Sequence, residues 1–329
     1  MSYLLTCNIL IDNKYRLNFA KEVEINSSWQ TLGDTCIIKI PTKGVLVSKG
    51  ENGQNVERFS FGERFETGMS IEVNLGYDGN NKPCFVGYIK AIKPTIPFEL
   101  HCEDAVYELK REKAISKVFT GTLKGLLSEY LSGVEIAKNI PDVTLSNFVL
   151  NKVTPAEILE KVKDSYGLSA YYKPASQTLF VGLPYSEFEN YEPVYFDFQK
   201  NVVSDSLEYR KAEDVKIKVK AISILKNNQK IEIEVGDADG EIRTLHTYNE
   251  TDTKKLRSWA ESQLGRLKYE GYSGNITAFG LPYVRHSSAV SLYDERYEER
   301  AGQVYIVDSV RTTWGTSGFR RLIELGKKV

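Results

Sequence analysis

The chain of 329 residues has the length of two or three domains and ample material for a buried core, which excludes a miniature disulfide scaffold. Lysine and arginine number 43 against 44 aspartates and glutamates, a formal charge of −1, so no net basic field exists to hold a phosphate backbone or an anionic membrane surface. Hydrophobic residues at 41% and charged residues at 26% exclude disorder and collagen-like structure, while 20 tyrosines and 14 phenylalanines favour strands and interfaces.

Residues 1–104 read as strands and turns. The apolar start lacks a positive n-region and turns polar at Asp12 and Asn13, so no secretion signal is expected. No stretch of the chain approaches the roughly 18–20 consecutive apolar residues that span a bilayer, and no membrane anchor is expected. Val23, Ile25, Ile37, Ile38 and Ile40 mark early strands. Ile71 to Tyr77 alternates apolar and polar residues, Asp78-Gly79-Asn80-Asn81 follows as a turn, and Cys84 to Ile89 returns as the second arm of a hairpin. In Phe98-Glu99-Leu100-His101-Cys102-Glu103, alternation places Phe98, Leu100 and Cys102 on one face and His101 between two carboxylates on the other. These strands suffice to close a small barrel.

From 105 to about 190 the period becomes helical. Leu123, Leu126, Leu127, Tyr130 and Leu131 form an apolar stripe with Gly133 as its stop. In Thr154-Pro155-Ala156-Glu157, Thr154 caps free amides, Pro155 suits the first helical position, and Glu157 reaches back to complete a capping box. Ile158, Leu159, Val162 and Tyr166 continue the stripe and Gly167 ends it. Tyr171-Tyr172 and Thr178 to Val181 bracket a turn at 173–176, and 184–193 is the expected linker.

Strands resume near 194. Val215 to Ala221 alternates with lysines at 216, 218 and 220, a turn falls at Asn227-Asn228, and Lys230 to Val235 carries Glu232 and Glu234, so cross-strand ion pairs are expected. Leu256, Trp259, Ala260, Leu264 and Leu267 define one helix after the capping candidates Thr251 and Asp252. Further strands are expected around 276–278, 290–293, 304–313 and 320–325. The pattern is mainly β with an α/β middle region: two small β-barrel domains, 1–104 and 194–329, flank a compact α/β domain with linker at 105–193. The second barrel carries an inserted helix near 253–269, and the two barrels are expected to share a topology.

No constellation for catalysis, cofactor or metal emerges. Cys7, Cys36, Cys84 and Cys102 form no C-x-x-C pair and read as buried thiols. His101 and Cys102 point to opposite faces of one strand, which separates thiol from imidazole. The acidic pairs Asp205/Glu208 and Asp294/Glu295 contain the residue types of a glycosidase, but among 44 acidic residues their nearness in sequence is the chance expectation. His246 and His286 have no partner at ligand spacing. Gly76-Tyr77-Asp78-Gly79 and Gly271-Tyr272-Ser273-Gly274-Asn275 lack the phosphate-loop pattern and read as turns. The lysines at 216, 218 and 220 face neutralising glutamates and make no specific nucleic-acid site. Tyrosines that would stack on sugars are spread along the chain and read as packing residues.

Several segments, in order, resemble the baseplate hub or late control (tail hub) proteins of contractile phage tails. Phe65-x-x-Gly68-Met69-Ser70-Ile71 through Tyr77, then Phe85-Val86-Gly87-Tyr88-Ile89, resembles the family's paired strands. Leu100 to Asp104, followed by Ala105-Val106-Tyr107-Glu108-Leu109, resembles its strand leading into a D-x-x-Y-x-L segment. Thr154 to Leu159 with Tyr166-Gly167-Leu168 resembles its central helix. Trp259-Ala260, Gly271 to Gly274, Val290-Ser291-Leu292 and Gly302 to Val310 follow its closing pattern. One departure stands out: His286-Ser287-Ser288 occupies the place where the family often has a glycine ahead of the Val290 strand.

The resemblance implies a non-enzymatic structural protein, a homotrimer whose two barrels per chain form a ring of six. Such a ring adapts a hexameric tail tube to a three-fold spike, so the implied partners are the tail tube protein and the spike protein. The implied location is the virion tail baseplate, assembled in the bacterial host cytoplasm. The same design occurs in type VI secretion and related contractile injection systems. The residues leave a peptidoglycan hydrolase and a carbohydrate-binding β-protein as alternatives.

Overall fold

Alternating sequence sets out the first third of the chain as strands β1 (Leu5–Ile11), β2 (Tyr15–Leu17), β3 (Glu22–Ser28), β4 (Thr35–Ile40), β5 (Lys43–Gly50), β6 (Gly53–Ser60), β7 (Ser70–Tyr77), β8 (Asn80–Lys93) and β9 (Phe98–Glu103). They are seen in a computed structural model that describes residues 4–50, 53–131, 133–173, 177–183, 186 and 192–329. The expected turn at 173–176 and linker at 184–193 lie largely outside the described residues. The hairpin of β7 and β8 closes as read: Tyr77 pairs with Asn80, and Asp78 (φ 52) and Gly79 (φ 82) both take the left-handed conformation that a two-residue turn of matching twist requires. The inward residues Ile9, Ile25, Ile38, Val73 and Leu100 are fully or almost fully buried in one core.

The middle region contains α1 (Val106–Arg111), β10 (Ile115–Thr122), α2 (Leu123–Tyr130), β11 (Glu135–Ile136), β12 (Thr144–Val153), α3 (Pro155–Tyr166), β13 (Ser169–Lys173) and β14 (Thr178–Gly182). The capping box forms as expected. Thr154 accepts from the Glu157 amide at 3.4 Å, Glu157 accepts from the Thr154 amide at 2.6 Å, and Gly167 ends α3 at φ 65. Helix α2 ends at Leu131, whose amide bonds the Leu127 carbonyl, two residues before the expected stop at Gly133.

The last region contains β15 (Val194–Asp197), β16 (Val202–Arg210), β17 (Ile217–Ile224), β18 (Lys230–Gly236), β19 (Glu241–Tyr248), α4 (Thr253–Leu267), β20 (Gly271–Phe279), β21 (Ala289–Tyr293), β22 (Val304–Gly315) and β23 (Gly318–Lys328). Asp252 caps α4 through the Lys254 amide at 2.8 Å. The insertion is larger than the expected helix: β17, β18 and β19 form their own sheet, and α4 buries Leu256 and Ala260 against Val219, Ala221 and Val235. Lys220 meets Glu232 at 2.8 Å and Lys218 lies 3.8 Å from Glu234, the expected cross-strand pairs. Gly271–Asn275, expected as a turn, is instead the start of β20. Gly274 sits at φ 119, and a Cβ there would lie 2.2 Å from the Ser206 carbonyl oxygen, so the glycine serves close strand approach.

The fold is mainly β, and among the described residues thirteen strands belong to one sheet. Strand β22 joins its two halves. Its start pairs with β21 (Ala289 opposite Ile306), and its end pairs with β3, from Ser309 opposite Ser28 to Gly315 opposite Glu22. One half curves around the first core and the other around Phe196, Ile276, Val290, Tyr305 and Ile323. Trp314 and Phe319, at the end of the β22–β23 hairpin, reach back into the first core. Among the described residues the strand pairings do not close either half into a barrel.

Candidate functional site

Where the three regions meet, a cluster of buried charge forms from residues far apart in sequence. Asp34 stands at the entry to β4, Asp104 at the exit of β9, Tyr171 and Tyr172 on β13, and Arg285 and His286 ahead of β21. Arg285 donates through Nε and Nη2 to Asp34 Oδ2, at 3.2 and 2.8 Å, and through Nη2 to the Tyr172 carbonyl at 2.6 Å. One guanidinium therefore ties the first, middle and last regions together.

Asp104 completes the joint. Its Oδ2 accepts from the Asp34 amide at 2.8 Å and its Oδ1 from the Val106 amide at 3.0 Å, while its own amide donates to the Asp34 carbonyl at 3.1 Å. The side chain is 1% exposed, so its anion has little water, and the neighbouring Asp34 carboxylate repels it. Burial first, and Asp34 second, push the Asp104 carboxyl up to about 7 despite the two amide donors and Arg285. Gly33 leaves room for this arrangement, since a Cβ there would lie 2.6 Å from Asp104 Oδ1.

His286 packs edge-on against Tyr171, ring centroids 4.5 Å apart, with Nε2 3.9 Å from Asp34 Oδ1 and Nδ1 3.3 Å from Ser287 Oγ. Burial and the Arg285 charge hold the imidazole well below its usual range, so it is neutral. Ser287 takes φ 63, the left-handed conformation for which glycine is the usual choice. The departure noted in sequence is thus a serine in a glycine-like turn, fixed by its amide to the Val307 carbonyl at 2.8 Å.

Next to Asp104, Glu103 is 3% exposed; its Oε1 accepts from Lys110, and Lys90 lies 3.3 Å from Oε2. Beside it a cleft of about 370 Å³ opens between the loop preceding β4 and α3, lined by Gly33, Glu103, Lys110, Glu160, Lys163 and Asp164 among others. Lys163 closes one wall by donating to the Gln30 carbonyl. Within the lining Lys110 is paired with Glu103, and Lys163 bonds the opposite loop rather than a carboxylate.

The remaining candidates stay apart. His101 bonds Glu99 at 2.8 Å on the outer face, while Cys102 lies opposite Cys36, both buried thiols pushed up by desolvation and therefore inert. Glu208 pairs with Arg210 at 3.3 Å, and Asp205 lies 3.4 Å from the Leu207 amide. Asp294 holds Arg296 through both carboxylate oxygens at 2.7–3.1 Å, and this partner draws it down to about 2. Neither acidic pair presents two unengaged carboxyl groups. His246 is half-buried on β19, where desolvation lowers it. Among the described residues no group of three or more His, Cys, Asp or Glu is placed to hold a metal ion, and no helix is long and apolar enough to cross a membrane.

No protein-family model matches the sequence, and no curated protein does either. The fold has solved counterparts. A tail protein from Neisseria meningitidis aligns over 98% of this chain and 96% of its own at TM-score 0.64 and 15% identity. The 43 kDa tail protein of prophage MuSo2 from Shewanella oneidensis aligns over 98% of both chains at TM-score 0.60 and 14% identity. The chain has the fold of phage tail proteins. An Escherichia coli component of the type VI secretion system, itself described as structurally similar to bacteriophage T4 tail proteins, aligns over 94% of this chain and 73% of its own at TM-score 0.57 and 7% identity. At these identities the likeness is one of fold, and at that level it agrees with the tail hub resemblance read from the residues.

Proposed function

We propose that the protein is a structural baseplate hub that adapts a hexameric tail tube to a three-fold spike, in a phage tail or a related injection system. The observation that carries this reading is the end-to-end match in fold: 98% of the chain aligns with 96–98% of two solved tail-protein chains. The residues agree, because the buried charges bind one another across regions and neither acidic pair offers a vacant acid and base. In this reading residues 1–104 and 194–329 are two barrel-like domains flanking a middle domain at 105–193, with β22 as their shared strand. Three chains then form the ring, tube and spike proteins bind its two ends, and the assembly resides in the tail baseplate.

Co-expression with tube and spike proteins encoded by neighbouring genes tests the reading. A co-purifying complex containing all three is expected. Failure to bind either partner, together with peptidoglycan cleavage abolished by one carboxylate substitution, would overturn it in favour of a hydrolase. Glycan binding by the isolated monomer without tube or spike binding would point to the carbohydrate-binding alternative.

A further inference from the structure

Burial makes the charge balance of the three-region joint consequential. Asp34 and Asp104 contribute two carboxyl groups and Arg285 one guanidinium, while His286 is neutral; Lys173 lies over the Phe180 ring at 5.5 Å, lowered by burial and by the Arg285 charge. Tyr172 and Tyr283 also face the cluster, both pushed up chiefly by burial, while Arg285 and the buried Arg321, which lies 4.5 Å from the Tyr283 ring and donates to the Val284 carbonyl, act on Tyr283 in the opposite sense. Glu103 is matched by Lys90 and Lys110 and adds no cation to spare. Arg285 bonds Asp34, whereas the Asp104 carboxyl accepts from two backbone amides, so with both aspartates ionised Asp104 is a buried anion beside a second carboxylate, an arrangement that a single bound proton relieves.

We propose that the joint holds one exchangeable proton on Asp104, and that this proton locks the first, middle and last regions together. Protonated Asp104 still accepts from the Asp34 and Val106 amides, leaving Asp34 alone with Arg285 as a neutral pair. When the proton leaves, the two adjacent carboxylates repel each other and the joint around Arg285 loosens.

The sign follows from linkage. Asp104 is raised from 3.8 to about 7, so its proton is bound in the closed joint and lost on opening at intermediate pH. The contribution is fully present below the open-state value and falls as pH rises, by up to about tenfold per pH unit, until it is lost above about 7. His286 acts in the opposite sense: neutral when buried, it disfavours closure as pH falls below its usual range. Wild-type pH dependence alone therefore combines the Asp104 and His286 protonations, and comparison with Asp104→Asn separates them.

Two measurements on the full chain test the lock. Infrared difference spectroscopy reads the proton: a protonated carboxyl band present at about pH 6, lost by about pH 8 and missing from Asp104→Asn is expected. Hydrogen–deuterium exchange reads closure at residues 29–34, 104–111 and 283–288. The ratio of wild-type to Asp104→Asn protection, corrected for intrinsic exchange, is expected to fall up to about tenfold per unit between about pH 5 and 7 and then level off. A band absent from wild type at about pH 6, or present unchanged in the variant, overturns the assignment; a pH-independent ratio overturns the lock. If Asp104→Asn fails to fold, Asp34→Asn takes its place. Removing the repelling carboxylate is then expected to shift loss of the band to lower pH, and an unmoved band overturns the proposal.

Discussion

Replacing Arg285 with methionine isolates the energetic worth of the joint. The substitution keeps most of the side-chain volume but removes three hydrogen bonds, two to Asp34 Oδ2 and one to the Tyr172 carbonyl. Asp34 has 7% side-chain exposure, so its carboxylate is left in a site that water scarcely reaches. Losing one partner of a buried pair costs about 3–5 kcal/mol, against about 0–1 kcal/mol for a surface pair. The assay is urea unfolding followed by tryptophan fluorescence and circular dichroism, with Asp34→Asn and the double variant completing a cycle. Arg285→Met is expected to cost about 3–5 kcal/mol, and the double variant less than the sum of the singles by about 1 kcal/mol or more. A cost below about 1 kcal/mol, or additive effects, would refute the view that Arg285 and Asp34 act as one strut.

Other outcomes follow from individual contacts. Thr154→Ala removes half of the capping box and is expected to cost about 1 kcal/mol, read as a lower urea midpoint with unchanged slope. Gly274→Ala forces a Cβ to within 2.2 Å of the Ser206 carbonyl oxygen; faster hydrogen exchange across β16 is expected, and unchanged exchange would contradict the close approach. Asp294, drawn down to about 2 by Arg296, contributes stability that is fully present above its ordinary value near 3.8 and lost as pH falls through about 2. Its carboxyl titration, followed by NMR, is expected to move upward in Arg296→Met.

Legibility in the sequence tracked the range of the interactions. The β7–β8 turn, the Thr154 capping box and the apolar face of α4 each depend on residues within a few positions, where periodicity and turn chemistry are direct reports of geometry. The joint lies beyond that reach: Asp34, Asp104, Tyr172 and Arg285 come from four separate segments, and their polar types are common on surfaces. One signal pointed there, the His286-Ser287-Ser288 departure, because a residue replacing a glycine marks a turn with special backbone needs. Strand β22 was similarly opaque. Its length was readable, but its pairing with β3 joins residues such as Ser28 and Ser309, for which alternation says nothing about the partner. The glycines opening β20 read as a turn because glycine's two uses, reversing a chain and admitting a close neighbour, look alike in one dimension.

Cryo-electron microscopy of the assembled particle tests the hub reading most directly. Three copies of this chain are expected between tube and spike, with 1–104 and 194–329 alternating around the ring as six similar units. One copy, or a two-fold or six-fold arrangement of the chain, would contradict it.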